Sequence, residues 1–210
     1  MLTVHHLGIS QSERIVWLCE ELSVPYRLVN YERDPVTRLA PPEYKALHPF
    51  QTAPVIVDGA VVLSESGAII EYIIARYGKG RLTVRPDAPN YPDYLFWLHF
   101  ANGSMMPVQF AGAIKPSPDE SPRTRLMRER CDRTWKMVEA RLGEAPYFAG
   151  PEFTAADIIM LFPLTTMRVF APRDISGNPN VLAYLQRIGA RPAYRQAMQK
   201  GDPKLTPLLT

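Results

Sequence analysis

The chain has 210 residues, 46% of them hydrophobic, with 24 Lys and Arg against 21 Asp and Glu and a formal net charge of +3. That length permits one large domain or two small ones, and the apolar fraction is enough to bury a core without disulfide staples. The near-balanced charge argues against a nucleic-acid partner, and Cys19 and Cys131, the only cysteines, are too far apart for a disulfide framework, a zinc site or a dithiol redox motif.

Residues Met1 to His6 carry no basic n-region and no long apolar run, so no secretory signal is expected. No apolar stretch reaches bilayer length, and a cytoplasmic location with no membrane partner is the default expectation. Leu2–His6 reads as a short strand. His5 and His6 are adjacent on it and face opposite sides, which predicts one packed histidine and one near a cleft rather than a metal site. Gly8-Ile9-Ser10-Gln11-Ser12 forms a turn into a helix whose stripe is Ile15, Leu18, Cys19 and Leu22. Cys19 reads as a small core residue. Ser12 reads as the N-cap, since Glu13 follows and the apolar stripe starts at Ile15. Ser23-Val24-Pro25 ends the helix, Tyr26–Tyr31 is a second strand, and residues 32–47 are loop with one helical turn after Pro41-Pro42.

The segment His48 to Ser66 is the most informative. Val55-Ile56-Val57-Asp58-Gly59 followed by Val61-Val62-Leu63 predicts a hairpin at Asp-Gly. Pro54 has no N–H and belongs at a strand start or edge, so an extended peptide can pair with the backbone of Ala53. Ser64-Glu65-Ser66 then opens a helix over about 66–77, closed by Gly78 at a C′ position. A helix N-terminus offers free N–H groups and a positive dipole end, which suits a carboxylate. The segment therefore suits a small, anionic, extended ligand.

Residues 78–89 are rich in Gly, Pro and Arg and read as a linker. Beyond it only helix signals remain: Pro92 and Pro122 at helix starts, and a stripe of Met127, Cys131, Trp135, Val138 and Leu142 closed by Gly143. The basic residues of 123–141 alternate with Glu129, Asp132 and Glu139, the pattern of a solvated helix face. Thr154-Ala155-Ala156-Asp157 is a capping box, with Phe153 and Ile158 at the staple positions. Pro163 interrupts that helix, Val181, Tyr184, Leu185 and Ile188 mark another, and a short one follows Arg191-Pro192. The reading is an α/β domain over residues 1–80 and an all-helical domain over 90–210.

Thr52-Ala53-Pro54-Val55 before an Asp-Gly hairpin, the Ser64-Glu65-Ser66 helix start, the order of elements and the Thr154-x-x-Asp157 box together resemble the cytosolic glutathione transferases. The likeness covers essentially the whole chain. Val4-His5-His6-Leu7 and Trp17-Leu18-Cys19-Glu20-Glu21-Leu22 look closest to a serine-type branch found in fungi and bacteria. The resemblance implies a thioredoxin-like first domain, a cis bond at Ala53-Pro54, glutathione as co-substrate along the edge strand, and a homodimer with Tyr72, Arg76 and the helix after Asn90 as interface groups. It also implies that Ala53 pairs with the cysteinyl unit, that Glu65 and Ser66 hold the γ-glutamyl end, and that Gln51 lies near the glycyl carboxylate. The thiol needs a donor that favours the thiolate. The family uses Tyr, Ser or Cys in this region. His5 and His6 stand where a tyrosine would be and no cysteine is near. Ser10 is the expected donor, with Ser12 or a backbone N–H as alternatives. His99, Asn102, Met105 and Met106 fall on the helix that lines the electrophile pocket in the family, a soft wall suited to apolar small molecules. Met105 and Met106 also read as ordinary core. The implied function is attack of glutathione on an electrophilic small molecule. A glutathione-dependent isomerase or peroxidase, and a non-catalytic binding or regulatory module, are the competing readings.

Overall fold

A computed structural model describes residues 1–113 and 121–210. The described residues divide into two compact units, Met1–Thr83 with Ala190–Pro207, and Val84–Gly189 with Leu208–Thr210.

The first unit holds a four-stranded sheet, ordered β2-β1-β3-β4. β1 (Leu2–Leu7) pairs in parallel with β2 (Tyr26–Tyr31) and antiparallel with β3 (Val55–Asp58), which pairs antiparallel with β4 (Val61–Ser64). A parallel pair needs a crossover, and α1 (Glu13–Leu22) supplies it. Its apolar positions Ile15, Val16, Leu18, Cys19 and Leu22 are buried, each large one worth about 1.5–3 kcal/mol of transfer free energy. Leu18→Ala would cost roughly 2–5 kcal/mol. Cys19 is fully buried and its thiol is pushed up to about 12 by burial, as a core residue should be. α1 stops at Ser23, which turns left-handed at φ 52°. A short α2 (Pro42–Lys45) buries Tyr44 beside Leu7 and Val55, and α3 (Ser66–Tyr77) buries Ile69, Ile70 and Ile73.

Two turns differ from expectation in detail. Asp58 pairs with Val61, so Gly59 (φ 62°) and Ala60 make the hairpin turn and Asp58 ends the strand, its carboxylate accepting from Tyr72 and Tyr77. Gly78 ends α3 in a right-handed conformation, φ −72°, and the chain reverses at Lys79 and Gly80, which carry the positive φ values.

The segment 190–207, expected to belong to the helical domain, clusters with the first unit instead. The cause is α9 (Pro192–Gly201), whose buried face of Tyr194, Ala197 and Met198 packs on α1. Trp17 and Tyr194 meet edge to face at 5.2 Å. Arg191 makes a two-pronged bond to Glu21 at 2.6 and 2.8 Å, and Lys200 reaches Glu20 at 2.7 Å.

The second unit is helical among its described residues. α4 (Tyr91–Phe100) runs through a π turn (Ala101–Met105) into α5 (Met106–Gly112), followed by α6 (Pro122–Glu144), α7 (Ala155–Leu164) and α8 (Pro179–Gly189). Ser121 caps α6, accepting from the Thr124 N–H at 3.2 Å. Gly143, expected to close α6, lies inside it; a Cβ there would sit 2.8 Å from Asn180 Nδ2, so close packing explains the glycine. Gly112 is required likewise, since a Cβ would meet Cys131 Sγ at 2.5 Å. α7 is buried along its whole length and starts at the Thr154/Asp157 capping box.

Candidate functional site

Register places the expected site at one end of the sheet. His5 of β1 is level with Val55 of β3, and Val55 with Ser64 of β4. The loop that leaves β1, the loop that enters β3 and the loop that leaves β4 therefore open at the same edge. Those loops carry Ser10 and Ser12, Gln51 to Pro54, and Glu65 and Ser66. Each also holds a side-chain-bearing residue at positive φ: Ile9 at 52°, Gln51 at 58° and Glu65 at 78°. Such conformations are costly for residues other than glycine and cluster at ligand sites.

Ser12 does not serve as a side-chain N-cap; its hydroxyl makes no capping bond and its backbone is already right-handed. It is fully buried, at 0% exposure, and is held from several sides. Its Oγ accepts from the Leu7 N–H at 3.1 Å and lies 2.9 Å from His6 Nδ1 and 2.7 Å from Ser10 Oγ. His6 Nε2 is 3.0 Å from Asp202 Oδ2, in the segment after α9. A carboxylate only accepts, so in the neutral imidazole Nε2 carries the proton and Nδ1 accepts from Ser12. The other Asp202 oxygen, Oδ1, accepts from the Ile9 N–H at 2.9 Å. Ser10, at 6% exposure, has two acceptors for its hydroxyl proton, the Leu7 carbonyl at 2.6 Å and Ser12 Oγ at 2.7 Å. Of the paired histidines, His6 is the packed one and His5 is half-buried beside Tyr31, whose hydroxyl is 2.9 Å from Nδ1. Asp202 had no local sequence signal; its partners lie some 190 positions away in the chain.

The Ala53-Pro54 peptide is cis. Pro54 is buried, and its carbonyl accepts from Ser64 Oγ at 3.0 Å. Gln51 is exposed and Ala53 half-buried. Glu65 is exposed at the mouth of α3, while Ser66 is buried with its hydroxyl donating to Gln11 Oε1 at 3.2 Å. Arg14, missed in the sequence, is buried here and donates to Gln11 Oε1 at 2.5 Å and Ser66 Oγ at 3.4 Å. Burial lowers its guanidinium to about 9, against the opposing pull of Glu13 and Glu65. The Ser66 side chain is thus committed to the protein, and what α3 offers a carboxylate is its terminal backbone N–H groups.

Of the residues expected to contact the electrophile, Met105 is fully buried and is core of the second unit. His99 is exposed, and Asn102 and Met106 are half-buried. The π turn widens the helix between His99 and Met106, which sequence periodicity did not show. A cleft of about 430 Å³ opens in the first unit, lined by Gly8, Ile9, Tyr31, Arg33, Arg38 and Lys204 among others; none of Gln51, Ala53, Pro54, Glu65 or Ser66 lines it. Among the described residues no group of three or more His, Cys, Asp and Glu could hold a metal, and no helix is long and apolar enough to cross a membrane.

A four-stranded mixed sheet of this order, with a cis-proline and two helix N-termini at one edge, defines a thioredoxin-like domain, here followed by a helical unit. The family model described as "Glutathione S-transferase, N-terminal domain" matches residues 10–76, and the corresponding C-terminal model matches 121–187. Glutathione S-transferase 3 of Schizosaccharomyces pombe is 33% identical, over 95% of this chain and 88% of its own. A crystal structure of a glutathione S-transferase from Actinobacillus pleuropneumoniae superposes with a TM-score of 0.88 at 32% identity, covering 98% of this chain and 97% of that one. A theta-class enzyme from Xanthomonas axonopodis pv. citri, solved with glutathione bound, gives a TM-score of 0.69 at 25% identity over 93% and 96% of the two chains. The chain belongs to the glutathione S-transferase family.

Proposed function

We propose that this chain binds glutathione along the open edge at Ala53 and activates its thiol at Ser10 for attack on an apolar electrophile. Membership of the family makes glutathione the co-substrate and transfer of the glutathionyl group the activity. The observation that carries the residue assignment is the convergence of the Ser10 turn, the Ala53-Pro54 edge and the α3 N-terminus at one end of the sheet. Neither the N–H nor the carbonyl of Ala53 makes a hydrogen bond among the described residues, so an extended cysteinyl unit can pair with it. The γ-glutamyl carboxylate fits the N–H groups that open α3, and its ammonium fits the exposed Glu65. Gln51 offers amide donors near the glycyl end. At the thiol, a hydroxyl donor favours the charged sulfur, and the positive end of α1 adds to it. The chain works as a cytoplasmic homodimer in detoxification, and the exposed Phe50, at 61%, and Val62, at 46%, are apolar groups a partner would cover.

A panel of electrophiles with glutathione, read together with the ultraviolet thiolate band of bound glutathione at neutral pH, tests the reading. Conjugate formation with a thiolate band is the expected result. Binding without a thiolate band points to a non-catalytic module. Turnover of isomerisable or peroxide substrates without conjugates points to the isomerase or peroxidase alternative.

A further inference from the structure

Resting on the reading of Ser10 as the thiol contact, we propose that His6 receives the glutathione thiol proton through Ser12 and Ser10, with Asp202 as the residue that orients it. The four groups form one continuous chain. Ser10 Oγ is 2.7 Å from Ser12 Oγ, which is 2.9 Å from His6 Nδ1, and His6 Nε2 is 3.0 Å from Asp202 Oδ2. Ser12 and His6 are sealed at 0% and 1% exposure. Its two ends differ in setting: Ser10, at 6% exposure, lies at the turn expected to meet the thiol, and Asp202, at 8%, lines the cleft beside Gly8 and Ile9.

The donor and acceptor roles are set from the Asp202 end. Its carboxylate fixes the proton of neutral His6 on Nε2, which leaves a lone pair on Nδ1 for the Ser12 hydroxyl. Ser12 Oγ accepts from the Leu7 N–H at 3.1 Å and can accept a second proton from Ser10; its own proton has His6 Nδ1 at 2.9 Å and, farther off, the Leu7 carbonyl at 3.3 Å as acceptors. When the thiol arrives, the S–H bond breaks and its proton bonds to Ser10 Oγ. The proton Ser10 held passes to Ser12 Oγ, and the proton Ser12 held forms the Nδ1–H bond of His6. Both serines end as hydroxyls, the sulfur as a thiolate and His6 as an imidazolium beside the Asp202 carboxylate. No other reactant is needed, and Ser10 is left donating to the thiolate. After the sulfur has reacted, the proton returns by the same chain.

The surroundings of His6 suit this. From the segment after α9, Asp202 is the charged group that faces it, and Arg33, following β2, acts electrostatically on Asp202 while donating to the Gly8 carbonyl at 2.8 Å. Ser10 and Ser12 before α1, and Asn30, its register partner on β2, are neutral. The same carboxylate holds the Ile9 N–H at 2.9 Å, so one residue sets both the histidine tautomer and the strained turn that carries Ser10. Gly201 lets the segment come close, since a Cβ there would be 3.1 Å from His6 Nε2.

The test follows the imidazole directly. The chain has four histidines, so His6 is assignable in an imidazole ¹⁵N spectrum by single substitution of His5, His48 and His99. Saturating the wild-type protein with glutathione at neutral pH should convert His6 from the neutral Nε2–H form to the imidazolium while the thiolate band appears. S-methylglutathione, which has no thiol proton, should leave it neutral. A thiolate band with His6 still neutral overturns the relay and leaves the Ser10 reading standing. Bound glutathione with no thiolate band overturns the Ser10 reading, and the relay with it. Asp202→Asn provides the second arm. Its amide keeps the shape but faces Nε2 with a donor, forcing the proton to Nδ1 and closing the acceptor that Ser12 needs. The expected result is at least a tenfold smaller thiolate fraction at neutral pH, recovered in alkali, with glutathione affinity within about threefold of wild type. An unchanged thiolate titration, or a loss of binding equal at all pH values, shows that the chain is structural only and overturns the inference.

Discussion

Asp157→Ala separates burial from hydrogen bonding at the helical unit's main cap. The carboxylate accepts from the Thr154 N–H at 2.9 Å, the Phe148 N–H at 3.0 Å and the Tyr184 hydroxyl at 3.3 Å. Removing it strands two buried N–H donors, at about 1–3 kcal/mol each, so roughly 4 kcal/mol together. Burial nevertheless outweighs those bonds and raises the Asp157 carboxyl from an ordinary 3.8 to about 6. A native pKa above the unfolded one means that the folded state binds more protons between the two values. The stability from this group is therefore full below 3.8 and is lost as pH rises through 6. The gap corresponds to roughly 3 kcal/mol, of which about 2 kcal/mol remains at pH 4.5. The alanine variant escapes that loss. It should cost about 1 kcal/mol at pH 7.5 and about 3 kcal/mol at pH 4.5, measured by urea unfolding followed by circular dichroism. A cost that is the same at both pH values, or greater at pH 7.5, would refute the claim that desolvation beats the hydrogen bonds to this carboxylate.

Glu65→Gln should weaken glutathione about tenfold, roughly 1.4 kcal/mol, and also lower the melting temperature slightly, because the Glu65 charge offsets the burial of Arg14; calorimetry showing unchanged affinity would place the ammonium elsewhere. Both cysteines are buried and burial raises both thiols, so the native protein should react with a disulfide reagent far more slowly than the urea-unfolded chain; rapid labelling of Cys19 would contradict its place in α1. Light scattering should give about twice the 23.7 kDa chain mass at micromolar concentration, and a monomer mass would remove the dimer from the account.

Where one short stretch carried the whole physical cause, the sequence was readable. β2 and α3 fall on the expected residues because Pro25 precedes the first, and the Ser64-Glu65-Ser66 start and Gly78 bound the second. The Thr154/Asp157 box was legible because its partners are three residues apart. What escaped was non-local. The Arg191-Pro192 start of α9 was legible, but only the packed structure shows that its Tyr194, Ala197 and Met198 face meets α1. Ser12 has the spacing of a cap, yet His6 and Ser10 claim its hydroxyl. Gly143 looks like a helix stop until Asn180 is seen against it. Asp202 sits in an unremarkable tail, and its meaning comes from His6 and Ile9 at the opposite end of the chain.

The central claim is that Ser10 touches and stabilises the glutathione thiolate. Titrating the thiolate band of bound glutathione in wild type and in Ser10→Ala tests it most directly. One charge-assisted hydrogen bond is worth about 1.5–3 kcal/mol, so the apparent pKa of the bound thiol should rise by about one to two pH units in the variant. The rate near neutral pH should fall about ten- to a hundredfold, with little change in glutathione affinity. A Ser10→Ala protein whose bound thiol ionises at the wild-type pH would contradict the account at its chemical centre.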